Sequence, residues 1–239
     1  MVASVDAQAL AASVRRLRER RRIPVLQDSL QNVVDACAEL FGIHGCGVML
    51  VDEHGELRYV ASTDPRSRLL EDAQLDAGQG PCVESFVRDE PVSTADVRVD
   101  GRWPVLAERL AATEVAGVLG VPLRLRAVPV GSLDVYCGKP HRWTGDQQGA
   151  LGRFGEVAEA VIAAAVDAER AGELAARLAY VLDHRAPIER ATGFLMARDH
   201  LDRPAAFERL RRAARAQRRG LGAVATHLLD TGRLPDEDA

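Results

Sequence analysis

The sequence predicts an α+β protein in two parts: an antiparallel sheet flanked by helices, then a long connecting helix leading into a small three-helix bundle. Three observations predict it. The stretches "GVMLVDEHGELRYVAS" and "GVLGVPLRLRAVPVGSLDVYC" carry β-branched and aliphatic residues on either side of a turn, as hairpin strands do. Apolar residues at helical spacing precede, separate and follow them. After "HRWTGDQQ" the helical period persists for about forty residues, and no strand pattern returns.

The elements follow in order. Residues 1–24 read as a helical extension, a helix over about 4–22 ending in "RRLRERRR". From Leu26 to Phe41, Leu30, Val33, Val34, Cys37, Leu40 and Phe41 keep the helical period. Val48, Leu50, Leu57 and Tyr59 help form the first hairpin. Pro65, Gly78, Gly80 and Pro81 punctuate two short helices, before a short strand in "PVSTADV" and a helix from about Pro104 to Ala112. The second hairpin reads as joined by a Pro-containing connection.

Beyond it, Leu151, Phe154, Ala158, Val161, Ala165, Ala168, Gly172, Ala175, Ala179 and Leu182 alternate steps of three and four, a heptad seam. Alanine at so many seam positions gives little buried area per layer, and Gly172 weakens the helix locally. Two paired helices of a parallel dimer satisfy such a seam; so does one helix lying on its own sheet. Pro187 predicts either a kink or a new helix start, since a proline inside a helix costs about 3 kcal/mol. Three helices follow: one through about Arg198, one over about 204–218 with Asp202 as N-cap and Gly220 ending it, and one over about 221–230. The expected divisions are 25–165 for the sheet domain, 166–186 for the connecting helix, 187–232 for the bundle and 233–239 for a frayed acidic tail.

Composition narrows function by exclusion. Apolar residues at 47% and charged residues at 28% of 239 suit a globular domain with a small companion. No run of about 18 apolar residues occurs, and the N-terminal basic cluster follows rather than precedes the weakly apolar part, the reverse of a secretory leader. A cytoplasmic protein without membrane contact is expected. Cys37, Cys46, Cys82 and Cys137 form no C-x-x-C pair and no zinc pattern with histidine, so reduced thiols, no metal and no cofactor are expected. The adjacent acids Asp52 and Glu53 fall in a turn, and no hydrolase, cyclase or kinase signature is present; no catalytic residue and no enzyme are expected.

Charge is segregated instead. The net charge is −4, yet from Arg185 to Arg219 ten arginines stand against four acids. A basic module therefore ends an acidic body. Of the chain's 31 basic residues only Lys139 is lysine, so arginine itself is weak evidence; its clustering is the signal. On the second bundle helix Phe207, Leu210 and Ala214 share a face, with Arg211, Arg215 and Arg218 along its flank and Arg212 and Arg219 beyond. Ile188, Ala191 and Leu195 form a strip on the preceding helix, while Phe194 and Met196 point elsewhere, which calls for a second packing partner.

The spaced residues R-x-x-I-E-R-A-T-G-F-L-M (Arg185 to Met196), A-F-E-R-L-R (Ala206 to Arg211), Ala214 and L-x-x-V-A (Leu221 to Ala225) resemble the ANTAR domain, a three-helix RNA-binding module of bacterial transcription antiterminators. Thr192, Arg218 and Gly220 depart from residues common in that family. "LVDEHGEL", "GQGPCVES", "DVRVDGRWP", "GVPLRLR" and "GSLDVYCGKP" resemble the GAF domains that precede ANTAR in actinobacterial regulators. The resemblance implies a GAF sensor for a small-molecule signal and a homodimer gripping paired stem-loops in a nascent transcript. It makes Arg185, Arg190, Arg211, Arg212, Arg215, Arg218 and Arg219 the candidate RNA contacts. Cys82 and Trp103 are candidate ligand contacts of the GAF part, against plainer roles as a buried small residue and a loop anchor. Cys82 also stands by a proline at an expected helix start, where a thiolate is stabilised. The alternative is a ligand or redox sensor acting through protein contacts without RNA.

Overall fold

The computed structural model describes residues 6–19, 26–43, 45–52, 55–167 and 172–237, with backbone only for 16–19, 167 and 172–184. In chain order the elements are α1 (Ala7–Glu19), α2 (Leu26–Phe41), β1 (Gly45–Val51), β2 (Leu57–Ser62), α3 (Pro65–Ala77), α4 (Pro81–Arg88), β3 (Val92–Thr94), α5 (Pro104–Leu110), β4 (Gly117–Leu125), β5 (Val128–Cys137), α6 (Gly145–Asp167), α7 (Gly172–Asp199), α8 (Arg203–Gln217) and α9 (Leu221–Thr231).

The five strands form one antiparallel sheet in the order β2-β1-β5-β4-β3. Each strand's alternation sends its side chains to two covered faces. On one face, Val48, Leu133, Val121 and Leu123 meet α2 and α6, where Leu30, Val34, Leu151, Phe154 and Ala158 are fully buried. On the other, Gly47, Asp134 and Gly120 meet α3 and α4. The β4–β5 connection differs from the expected Pro-containing one. It is a two-residue turn with both central residues, Arg126 and Ala127, in the left-handed region (φ 52° and 64°), the pairing whose twist suits a hairpin. Pro129 lies inside β5 beside a register shift at Leu123/Arg124.

The heptad seam divides. Leu151, Phe154 and Ala158 are consumed by the protein's own sheet, so that part of the pattern reports an intramolecular helix rather than a partner. Ala168 lies outside the described residues, and so do the side chains of Gly172, Ala175, Ala179 and Leu182. α7 runs unbroken through Pro187; no helix starts there. Its C-terminal half joins α8 and α9 in a separate core of Ile188, Ala191, Leu195, Leu210, Ala214, Val224 and Leu228. The chain after α9 is not frayed as far as Glu237. Leu234 is buried in that bundle, and Glu237 accepts from Arg198 and Arg209 at 2.7–3.0 Å. No described helix is long and apolar enough to cross a membrane.

Candidate functional site

The arginine-rich helix α8 is built as its sequence dictates at one end and differently at the other. Asp202 caps it, accepting from Ala205 N at 2.9 Å, with Pro204 in the first turn. Its last carbonyls are closed by Arg218 in the left-handed conformation (φ 49°), not by glycine; Gly220 is extended and begins α9 instead. This termination turns Arg218 and Arg219 outward at the helix end, both exposed.

The seven candidate arginines separate by environment. Arg190, Arg212, Arg218 and Arg219 are exposed and have no carboxylate partner among the described residues; Arg190 Nε donates to the Ala186 carbonyl of its own helix. Arg185 donates to the Ala127 carbonyl at the tip of the β4–β5 hairpin, 2.8 Å away. Arg215 donates to Glu56, in the β1–β2 connection, and to Glu208, each at 2.8 Å. Arg211 is only 1% exposed, its Nε 3.4 Å from Glu208 without a formed hydrogen bond, and burial pushes its guanidinium pKa down. In this arrangement Arg211 lies inside the molecule and presents no surface to a partner.

Arg203, outside the predicted set, is a tether. It pairs with Glu189 at 2.9 Å through two hydrogen bonds and donates from Nε to the Val87 carbonyl at the end of α4. Beside it Phe207 packs against the bundle core, as its spacing predicts, and also meets Phe86 of α4 edge to face, ring centroids 5.9 Å apart. Leu221 closes over Gly55, where a β-carbon would stand 2.2 Å from Leu221 Cδ2. The helical bundle is thus seated on the sheet domain by one aromatic pair, one glycine-to-leucine contact and three arginine tethers. Sequence reasoning had no access to these contacts, whose partners lie far apart in the chain.

Asp52 accepts from Glu56 N and pairs with Arg58 in a turn; Glu53 lies outside the described residues. Trp103 is buried, its Nε1 donating to Glu84 at 2.9 Å, and Arg102 stacks on its outer face at 4.2 Å. That is an anchor for the loop before α5. Cys82 is fully buried at the start of α4; its backbone N–H donates to Gln74 Oε1, and Gln74 Nε2 approaches its Sγ at 3.0 Å. Burial pushes the thiol pKa well up, with the Asp134 carboxylate adding to the shift, so the expected low-pKa thiolate does not form there. Among the described residues no cluster of three or more His, Cys, Asp or Glu is arranged to hold a metal ion.

The polar residues that the sequence reading passed over are on the same face. Ser132, Asp134, Ser67, Glu71 and Gln74 are fully buried between β5 and α3. Burial raises the Asp134 pKa to about 7, and burial together with the Asp134 charge raises that of Glu71 well above the carboxylate range. In "SLDVY" the alternation was legible, but alternating polar residues ordinarily mark a solvent face.

Comparison with known proteins places these two units. The GAF domain family matches residues 25–162, more than half of the chain, and the ANTAR domain family matches residues 176–229. The fold resembles the GAF domain of a phosphoenolpyruvate-protein phosphotransferase from Coxiella burnetii at 22% identity and a TM-score of 0.54, covering 67% of this chain and 96% of that one. It also resembles the free methionine-R-sulfoxide reductase of Neisseria meningitidis (18% identity, TM-score 0.53, 70% and 99% covered). A third likeness is to the phycocyanobilin-bound GAF domain of a cyanobacterial phytochrome (17% identity, TM-score 0.52, 67% and 97% covered). No curated protein matches the chain.

Proposed function

Because the chain belongs to the GAF domain family and carries an ANTAR domain after its GAF domain, we propose that it is an RNA-binding regulator of transcription antitermination. The GAF domain senses a small-molecule signal; the ANTAR domain grips stem-loop RNA, two modules of a homodimer holding paired hairpins. The observation that carries this reading is the set of exposed arginines without carboxylate partners, Arg190, Arg212, Arg218 and Arg219, within the ANTAR-matching region. From Arg211 to Arg219 the chain carries five arginines and no acid, whereas a solvated surface normally intersperses the two.

Guanidinium groups at a helix end suit RNA loops for two reasons. They neutralise phosphates and release counterions, and their flat faces stack on unpaired bases that a closed A-form helix hides. Pairing two modules raises the effective concentration of the second hairpin. Phe194, exposed on α7 beside Arg198, offers apolar surface for a second subunit.

Regulation follows from the seat of the bundle on the sheet domain. Arg215 and Arg185 are occupied by GAF groups, so a signal that favours a released arrangement adds cations to the RNA face. The fully buried, up-shifted Cys82 thiol favours this sensory role over one as a nucleophile. Ultraviolet crosslinking of the full chain to a tandem-hairpin RNA, mapped to residues, tests the assignment. Adducts near Arg212, Arg218 and Arg219 support it; adducts confined to the GAF domain contradict it.

A further inference from the structure

The buried layer between β5 and α3 has a composition that its own residues do not satisfy. Asp134 is paired across the sheet with Gly47 of β1 and Gly120 of β4, so no cross-strand side chain flanks its carboxylate, and over Gly120 the place is taken by Cys82 of α4. Glu71 reaches the same point from α3. A β-carbon on Gly47 would stand 1.7 Å from Glu71 Oε1 and 3.2 Å from Asp134 Oδ1, which puts both carboxylates over one glycine. Ser67 Oγ lies over Gly45 in the same row, and Ser132 is the next residue along this face of β5.

Both oxygens of Glu71 and the hydroxyl of Ser132 have no hydrogen-bond partner; the Asp134 carboxylate has only the Cys82 thiol beside it, and the Ser67 hydroxyl only the Tyr136 phenol. No arginine, lysine or histidine forms an ion pair with either carboxylate among the described residues. Two buried carboxylates facing each other with no donor but a thiol are costly, and a proton shared between them satisfies one or two of the oxygens and leaves the Ser132 hydroxyl untouched. Among the described residues no cation pairs with the two carboxylates, and the one side-chain amide of the layer, Gln74, is engaged by Cys82.

We propose that this layer is a ligand site for a compact organic cation, an ammonium or amidinium group that bridges Glu71 and Asp134 with Ser67 and Ser132 as further acceptors. The inventory decides the class. Once their protons leave, the carboxylate oxygens are acceptors only and the hydroxyls accept as readily as they donate, so a cation that displaces the shared proton is matched and an anion is repelled. A fork of N–H groups matches two carboxylates through charge-assisted hydrogen bonds. Binding requires α3 to move off the sheet, because Glu71 fills the space over Gly47; the link to α4 begins at Gly78 and ends at Gly80, both with positive φ (63° and 140°), and is the joint at which the proposal places that movement. Gln74 and Cys82, bonded to each other across that link, carry the movement into α4, the helix on which Arg203 and Phe207 of the ANTAR bundle rest. The site rests on the sensory reading of the GAF domain and supplies its ligand class.

The test is calorimetric titration and thermal melting of the full chain with methylguanidinium chloride and with methylammonium chloride, at ionic strength held constant with NaCl. N-methylurea serves as the neutral counterpart and MgCl2 as the metal arm. The expected result is saturable binding of a cationic probe with a raised melting temperature, no response to N-methylurea, at least tenfold weaker binding in Glu71→Gln and Asp134→Asn, and severalfold weaker binding in Ser132→Ala. The serine variant keeps the test decisive where a carboxylate variant fails to fold. Absence of saturable binding by both cations, an equal response to N-methylurea, binding of Mg2+ alone, or unchanged affinity in the variants overturns the proposal. Because RNA takes no part in the titration, its outcome is separable from that of the RNA-binding reading.

Discussion

Arg215 of the ANTAR domain reaches Glu56 of the GAF domain, Nη1 to Oε1 at 2.8 Å, while its other terminal nitrogen holds Glu208. One cation of the arginine-rich helix is thus neutralised by a carboxylate 159 residues earlier in the chain.

Removing that carboxylate frees one edge of the guanidinium, the other staying on Glu208. A partly exposed ion pair contributes about 0–1 kcal/mol, so Glu56→Gln is expected to raise affinity for hairpin RNA by up to about fivefold with little change in melting temperature. Phe207→Ala, which removes the aromatic contact with Phe86, acts in the same direction. Filter binding of both variants against the parent is the measurement. Unchanged or weakened RNA affinity in both excludes the seated bundle as a restraint on the arginine face.

Arg211 and Arg212 are neighbours in sequence and opposites in structure. Arg211→Ala leaves a hole in a fully covered position and is expected to cost about 2–4 kcal/mol, whereas Arg211→Met fills it and stays within about 1 kcal/mol of the parent. Arg212→Ala leaves the melt unchanged and weakens RNA binding instead. Thermal denaturation and RNA binding of the three variants separate the roles. A stable Arg211→Ala protein with lost RNA affinity reverses the assignment.

Two carboxyl groups give stability opposite dependences on pH. Asp134, raised to about 7 by burial against an ordinary 3.8, binds its proton more tightly in the folded chain, so its contribution is full below about pH 4 and is lost as pH rises through 7. Glu71 acts in the same sense, and the Cys82 and Cys46 thiols beside the pair stay protonated over that range. Melting temperature is therefore expected to fall from pH 4.5 to 7.5, and the slope to flatten in Asp134→Asn. Glu237, held down to about 2 by Arg198, contributes above its ordinary 4.5 and loses that contribution as pH falls toward 2. Glu237→Gln is expected to remove the acid-side loss and nothing at neutral pH beyond the pair itself. A wild-type melt independent of pH from 4.5 to 7.5 contradicts the buried-pair account.

Much of this molecule was legible in its residues. The helical period of α2, the two hairpins, and the proline and glycine punctuation of α3 and α4 each follow from local rules, and the structure has them. Legibility failed where a tertiary partner decides. Leu151, Phe154 and Ala158 keep a seam spacing whether they face another subunit or their own sheet, and the sheet takes them. Phe207 shares a helical face with Leu210 and Ala214 and packs with them, but its second contact, with Phe86 of the sheet domain, has no local signal. Arg218 caps α8 although a glycine stands two residues on, because the left-handed residue is set by where the helix must end, and an arginine tolerates φ 49° at modest cost. The buried carboxylates escaped notice because only the cross-strand register shows that Gly47 and Gly120 flank Asp134.

The most direct test is the affinity of the full-length protein, confirmed as folded and paired, for a tandem-hairpin RNA against the same stems closed without single-stranded loops, measured across a salt series. The account predicts at least tenfold tighter binding to the looped RNA, weakening with salt and abolished when Arg212, Arg218 and Arg219 are together changed to glutamate. Equal affinity for looped and loopless RNA, or binding that survives the three reversals, contradicts it.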